Sequence, residues 1–314
     1  MDTIGLILKK EQVPSINFME EIPPHLDILS NEGIPIISKF GVPTIHGRCR
    51  NMQVSISANS FYIGKGSLQK FATGNNVSPI GRRGVINAIE EIQDILHLPL
   101  MKASVKSFDF AKNIITKYEP KIYFPYLGNM QYHTRLVQPT TINYKNATRE
   151  FCTYDKIKEL KSHREVVPPL YANLNLLRME WKLQRDILKY FNLPLLTPQS
   201  LTDEDFYVRL CNDFYKTYLS IDKLKKYKID MKNITTKEQL KKMGVLSIIQ
   251  MQGGKLEALE SINERLQMKE LTRKQASDLR LLINECSKLV IATEPSELIL
   301  ELDQKVKESI HNYR

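Results

Sequence analysis

The chain of 314 residues contains no CxxC, no His-x-His and no apolar run near the length of about 20 residues that a bilayer span needs. Its four cysteines, Cys49, Cys152, Cys211 and Cys286, lie far apart, so neither a zinc knuckle nor a dithiol is encoded. Reduced thiols in a cytoplasm are the expectation. The histidines (His25, His46, His97, His133, His163 and His311) are equally scattered, and a metal site has to be built mostly from carboxylates. The opening MDTIGLILKK has an acid at its second position and only a short apolar stretch, which argues against a secretory signal. A Walker loop and a Rossmann fingerprint are both missing, which removes the usual nucleotide clefts. There is no internal repeat.

What is present is basic charge. Lysine and arginine number 45 against 35 acids, a net +10. That excess favours an anionic partner, and no strongly basic amphipathic helix stands out, so nucleic acid ranks ahead of membrane. A merely soluble basic surface is the alternative. With 42% hydrophobic and 25% charged residues the chain reads as globular, with no membrane association expected.

Thr3 to Leu8 reads as an opening strand, followed by a stretch from Pro14 to Pro43 broken at Pro23-Pro24, Pro35 and Pro43. Gly47 to Ile63 suggests a hairpin, and Gly64 to Asn76 a glycine- and asparagine-rich segment around a short apolar turn. Val85, Ile86, Ile89, Ile92 and Leu96 fall at helical spacing. Strand patterns return over Ala103–Ala111, Lys121–Leu127, Tyr132–Val137 and Ala147–Thr153, then again in Asn173–Leu183. There the alternation sets Arg178, Glu180 and Lys182 in one polar row. From about Thr202 helix formers dominate. These patterns predict an α+β domain over 1–225, a central antiparallel sheet with flanking helices, and a helical module over 226–314.

Three stretches invite chemistry. In TREFCTYDKIKEL (148–160) a strand ends at Tyr154, and Asp155 is placed to cap a helix that opens with Lys156. A tyrosine packed at a sheet edge is the plain alternative. Asp109 lies mid-strand between Phe108 and Phe110, and Glu180 sits similarly in LLRMEWKL. A strand-borne carboxylate needs a partner, either a cation such as Arg178 or a bound ion. Two such carboxylates with a phosphate oxygen suit Mg²⁺ or Mn²⁺, while a structural salt bridge is the competing account. In GKGSLQKFATGNN (64–76), Lys65, Lys70 and backbone N–H groups suit a DNA phosphate, or simply a turn with solvated lysines.

These same stretches resemble the replication initiators of phages and plasmids typified by the nicking endonuclease of filamentous phages. The resemblance rests on Tyr154-x-Lys156-x-x-Glu159-Leu160, on Leu176-Leu-Arg178-Met-Glu180 followed by Asn192-Leu-Pro-Leu195, on Phe108-Asp109, and on Ser67-x-x-Lys70-x-x-x-Gly74-x-Asn76-Val77, in the family's order over roughly residues 50–225. The family has an arginine before the strand aspartate. Here Ser107 stands there, and Lys106 is the available substitute.

The resemblance implies a Rep nuclease-like fold and rolling-circle initiation. Tyr154 attacks a phosphodiester of single-stranded origin DNA to leave a 5′-phosphotyrosyl link and a free 3′-OH. Lys156 assists at the phosphate, and Asp109 and Glu180 hold a divalent metal. Lys65, Lys70, Asn76, Lys106 and Arg178 contact DNA, and host helicase and polymerase are further partners in a bacterial cytoplasm. A second tyrosine for termination has Tyr144, Tyr171 and Tyr207 as candidates. Two other readings remain at this stage. One is a non-catalytic origin- or operator-binding protein, with a helix-turn-helix around Gly244 or a plain helical bundle in its tail. The other is a mobilisation relaxase using the same chemistry.

Overall fold

The long alternating stretch Ser104–Thr116 becomes the central strand of an antiparallel sheet. The computed structural model describes residues 1–28, 36–37, 41–224, 226–227, 232, 234–252, 254–288, 293–294 and 296–311. Its strands are β1 (Ile4–Lys9), β2 (Asp27–Ile28), β3 (Ile36–Ile37), β4 (Pro43–Cys49), β5 (Met52–Ser57), β6 (Ser60–Gly64), β7 (Ser104–Thr116), β8 (Leu127–Met130), β9 (Thr134–Gln138), β10 (Thr141–Lys145), β11 (Arg149–Asp155), β12 (Asn175–Leu183), β13 (Ile221–Lys223), β14 (Lys226–Tyr227) and β15 (Thr293–Glu294). The main sheet runs β2-β4-β5-β6-β1-β7-β12-β11-β10-β9, with β3 added beside β4. Two-stranded pairings join β13 to β8 and β14 to β15.

The helices are α1 (Phe18–Glu21), α2 (Leu68–Thr73), α3 (Arg82–Leu96), α4 (Lys156–Ser162), α5 (Ile187–Phe191), α6 (Pro198–Leu201), α7 (Glu204–Leu219), α8 (Lys237–Met251), α9 (Lys255–Gln267), α10 (Arg273–Cys286) and α11 (Glu297–His311). The chain divides into two compact units, one of residues 1–122, 129–220 and 305–314, the other of 123–128 and 221–304. A single cut after 225, itself outside the described residues, is thus replaced by a division in which 123–128 join the second unit and 305–314 return to the first.

In the first unit one sheet face is aromatic. Phe110 meets Tyr207 and Phe214 of α7 with ring centroids 5.8 and 5.5 Å apart, Phe151 meets Phe214 at 5.5 Å, and Phe108 stacks on Phe191. These large apolar surfaces are removed from water and hold α5 and α7 on that face. The opposite face takes the polar row and is where α4 packs on β12. In the second unit Met243, Leu246, Ile249, Ile262, Ala276, Ile283 and Cys286 gather α8, α9 and α10 into one cluster.

Several local expectations change. Lys121–Leu127 forms short 3₁₀ turns at Pro120–Ile122 and Phe124–Tyr126, because Pro125 carries no N–H for a ladder and fixes φ. The segment around Ser67 is a helix rather than a turn. The Ser67 hydroxyl accepts from the Lys70 N–H at 3.0 Å, and Gly74 ends α2 in the left-handed region at φ +75°. The single hairpin is a three-stranded meander, β4-β5-β6. Helix α8 runs straight through Gly244, so no turn forms there and the bundle alternative holds. The break at Pro35 and the tail end at Tyr313 lie outside the described residues.

Candidate active site

Strand parity builds the site. In β12 against β7, Arg178 lies opposite Asn113, Glu180 opposite Ala111 and Lys182 opposite Asp109. In β11 against β12, Tyr154 lies opposite Arg178, and Cys152 opposite Glu180. Directly opposed residues of an antiparallel pair project to the same side. Asp109, Asn113, Cys152, Tyr154, Arg178, Glu180 and Lys182 therefore share one face, on three neighbouring strands.

Glu180 is the hub. Its Oε1 accepts from the Tyr154 hydroxyl at 2.6 Å and from Arg178 Nε at 2.7 Å. Its Oε2 takes the Cys152 thiol at 3.6 Å and faces Lys182 Nζ at 3.7 Å. Burial opposes ionisation of this carboxyl, but Arg178 and then Lys182 outweigh it and hold it well below the usual range. Burial, followed by the Glu180 charge, raises the Tyr154 phenol far above its ordinary value, so the hydroxyl rests protonated as a donor.

Arg178 is 1% exposed, and each of its three guanidinium nitrogens donates to protein. Besides Glu180 they reach Asp2 Oδ2 at 2.6 Å, the Asn76 carbonyl at 3.1 Å and Asn113 Oδ1 at 3.1 Å. Burial works against its charge, and Asp2 and Glu180 more than restore it. Arg178, expected at DNA, is thus an internal cation in this structure. Asn76 meets it through its carbonyl, and its side-chain Oδ1 is buried with no hydrogen-bond partner among the described residues.

Asp109 shares the face with Glu180, on the neighbouring strand. Burial, then the Glu180 charge, pushes its carboxyl up to about 7, and Thr3 hydrogen-bonds to it. As they stand these donors do not fit a pre-formed divalent centre, because both Glu180 oxygens are engaged and Asp109 is the one other acid among the expected ligands. Among the described residues no group of three His, Cys, Asp or Glu is placed to hold an ion.

Lys156 opens α4 as expected, but its side chain turns inward. It is 1% exposed, Nζ lies 2.8 Å from Glu159 Oε2, and it sits 5.7 Å from the centre of the Tyr154 ring. Asp155 caps the helix, its Oδ1 accepting from the Lys158 N–H at 3.0 Å. Asp155→Ala should cost about 1 kcal/mol, the usual worth of such a cap. An unchanged urea midpoint would show that the cap contributes nothing.

The expected DNA-facing lysines fall in two groups. Lys70 is paired with Glu165 at 2.8 Å. Lys65 is exposed at a left-handed φ of 48°, and Lys106 is exposed where β7 slips against β1. Of the candidate second tyrosines, Tyr144 and Tyr207 are buried, whereas Tyr171 packs half-buried against Val77, Ile157, Leu160 and Leu176. The sequence reading did not pick out Asp2, Asn113 or Cys152. Asn113 was accessible from its four-residue spacing to Asp109, while nothing local marks Asp2.

Among protein families, the model for the N-terminal region of a phage replication-associated protein matches residues 47–204, a span that contains Tyr154, Lys156, Arg178 and Glu180. No curated protein matches the chain. No helix among the described residues is long and apolar enough to cross a membrane.

Proposed function

The chain belongs to the phage replication-associated protein family defined by that N-terminal region, and from that premise we propose that it initiates rolling-circle replication by nicking single-stranded origin DNA through Tyr154. The observation that carries this reading is the 2.6 Å hydrogen bond from the Tyr154 hydroxyl to Glu180, at a strand–helix junction inside the matched span.

The phenol is held neutral, so attack cannot wait for a resting tyrosinate. Deprotonation has to accompany attack, with Glu180 Oε1 as the acceptor already in place. The Tyr154 oxygen bonds to phosphorus, the bond from phosphorus to the 3′ oxygen breaks, the phenolic proton passes to Glu180, and the 3′ oxygen is protonated from solvent. The phosphotyrosyl bond conserves the energy of the phosphodiester, so reversal rejoins the strand without ATP, Glu180 returning the proton. A host helicase would unwind the duplex, and a host polymerase would extend from the 3′-OH. What favours this reading over a non-catalytic DNA binder is that the Tyr154 hydroxyl is half-buried rather than sealed in the core and already donates to a carboxylate placed to take its proton.

The test is incubation of the full chain with single-stranded oligonucleotides tiled across the encoding replicon, in Mg²⁺, in Mn²⁺ and in EDTA, followed by a denaturing gel. An adduct that survives denaturant supports the nickase. A complex that denaturant always dissolves leaves the DNA-binding alternative. Comparing the EDTA arm with the others reads the ionic requirement directly.

Lys156 divides binding from chemistry. Because it is buried against Glu159, Lys156→Ala should leave oligonucleotide affinity within about twofold while slowing adduct formation from bound DNA about tenfold or more. A salt slope flattened by about one counterion, with an unchanged bound rate, would instead make Lys156 a plain phosphate contact.

A further inference from the structure

The family match begins at residue 47, yet Arg178 takes one of its two anionic partners from the second residue of the chain. Asp2 is fixed on several sides. Its Oδ2 accepts from Arg178 Nη2 at 2.6 Å and its Oδ1 from the Ser67 hydroxyl at 2.6 Å. Its backbone N–H donates to the Asp109 carbonyl at 2.8 Å, and its carbonyl accepts the Leu68 N–H at 2.6 Å. One residue thus ties the start of α2, the middle of β7 and, through Arg178, β12.

We infer that Asp2 is a positioning residue for Tyr154, an assignment that rests on the nickase reading. The line of contact is continuous: Asp2 to Arg178, Arg178 to Glu180, Glu180 to Tyr154. Glu180 Oε1 is shared between the guanidinium and the phenol, so its location, and its freedom to take a proton, depend on how hard Arg178 pulls on it. With both carboxylates present, the guanidinium is drawn from two sides and Glu180 keeps an oxygen for the tyrosine. Without Asp2, a buried cation has one anion left. Arg178 then closes on Glu180, and the phenol loses either the position or the basicity of its acceptor. Ser67 supports the arrangement by fixing the second Asp2 oxygen, which leaves Asp2 one orientation in which to meet Arg178. The 13% exposure of the Asp2 side chain means water cannot readily replace it.

The experiment uses the full chain and the oligonucleotide that gives the wild-type adduct. Single-turnover adduct formation is compared for wild type, Asp2→Ala, Asp2→Asn, Asp2→Glu and a core control, Ile92→Val in α3, with oligonucleotide Kd and Tm measured for each. Asp2→Ala should be slowed about 10²-fold at an affinity within about twofold of wild type, as expected for a misplaced reacting group. Asp2→Glu should recover most of the rate, Asp2→Asn less, since it restores a hydrogen bond without charge. Ile92→Val should lower Tm at an unchanged rate.

A purely structural Asp2 would behave like Ile92→Val, and that result overturns the inference while leaving the nickase standing. Should Asp2→Ala not fold, the ordering of Asn below Glu decides, and equal rates for the two overturn it. No adduct from wild type removes the nickase reading and this assignment together.

Discussion

Tyr154→Phe should form no denaturant-resistant DNA adduct, while folding normally and binding single-stranded DNA with near wild-type affinity. The substitution deletes one oxygen from a ring that keeps its packing, and the lost hydrogen bond to Glu180 is worth roughly 1–3 kcal/mol of stability because its acceptor is charged. A tyrosine with a structural role tolerates that loss. A nucleophile does not, since no neighbouring atom can take the covalent link, and the adduct should vanish rather than weaken. The same variant leaves a Glu180 oxygen without its phenol donor, so a modest fall in the denaturation midpoint is the expected companion of complete inactivity. Adduct formation at the wild-type rate would move the nucleophile elsewhere. Tyr171 is then the first to examine, because Tyr144 is buried and Tyr207 packs on Phe110.

Much of this site was readable from local rules. Strand parity set Arg178, Glu180 and Lys182 on one face, and the polar side chain of Asp155 marked the start of α4. The sheet with flanking helices also followed from the pattern, whereas the pairing of the Asp109 and Glu180 strands is a long-range fact that no local pattern encodes. What escaped is what depends on distance along the chain. The Arg178–Asp2 contact joins residues 176 positions apart, and no periodicity of either segment encodes it. A lysine in a first helical turn ordinarily points to water, and Lys156 is buried because Glu159 one turn on meets its ammonium beneath the Tyr154 ring. Strand β10 was missed although its five residues TINYK alternate, with Ile142 and Tyr144 buried, because so short a run carries only two apolar positions. Pro125, by contrast, gave a local signal against the strand expected over 121–127, and its missing N–H decided that segment.

The placement of Arg178 makes the other large prediction. Arg178→Leu should destabilise the protein by about 3–5 kcal/mol, because it strands the buried Glu180 and the largely covered Asp2 without their shared cation. The loss follows from the partners left behind more than from the pair's own net worth. Arg178→Lys should rescue little, since one ammonium on a flexible stem cannot reach Asp2, Glu180, Asn113 and the Asn76 carbonyl at once as the planar guanidinium does. Removing the charges together should be milder. The triple variant Asp2→Asn, Arg178→Leu, Glu180→Gln should recover part of the stability lost in Arg178→Leu alone, although it will have no nicking activity. Urea unfolding of the single, conservative and triple variants measures all of this. The opposite result is equally informative. If Arg178→Leu unfolds within about 1 kcal/mol of wild type, while its DNA affinity drops and the salt slope falls by about one, then Arg178 turns outward to a phosphate in the complex. The buried guanidinium would then be a resting state that DNA binding opens, and Asp2 the counterion it leaves behind.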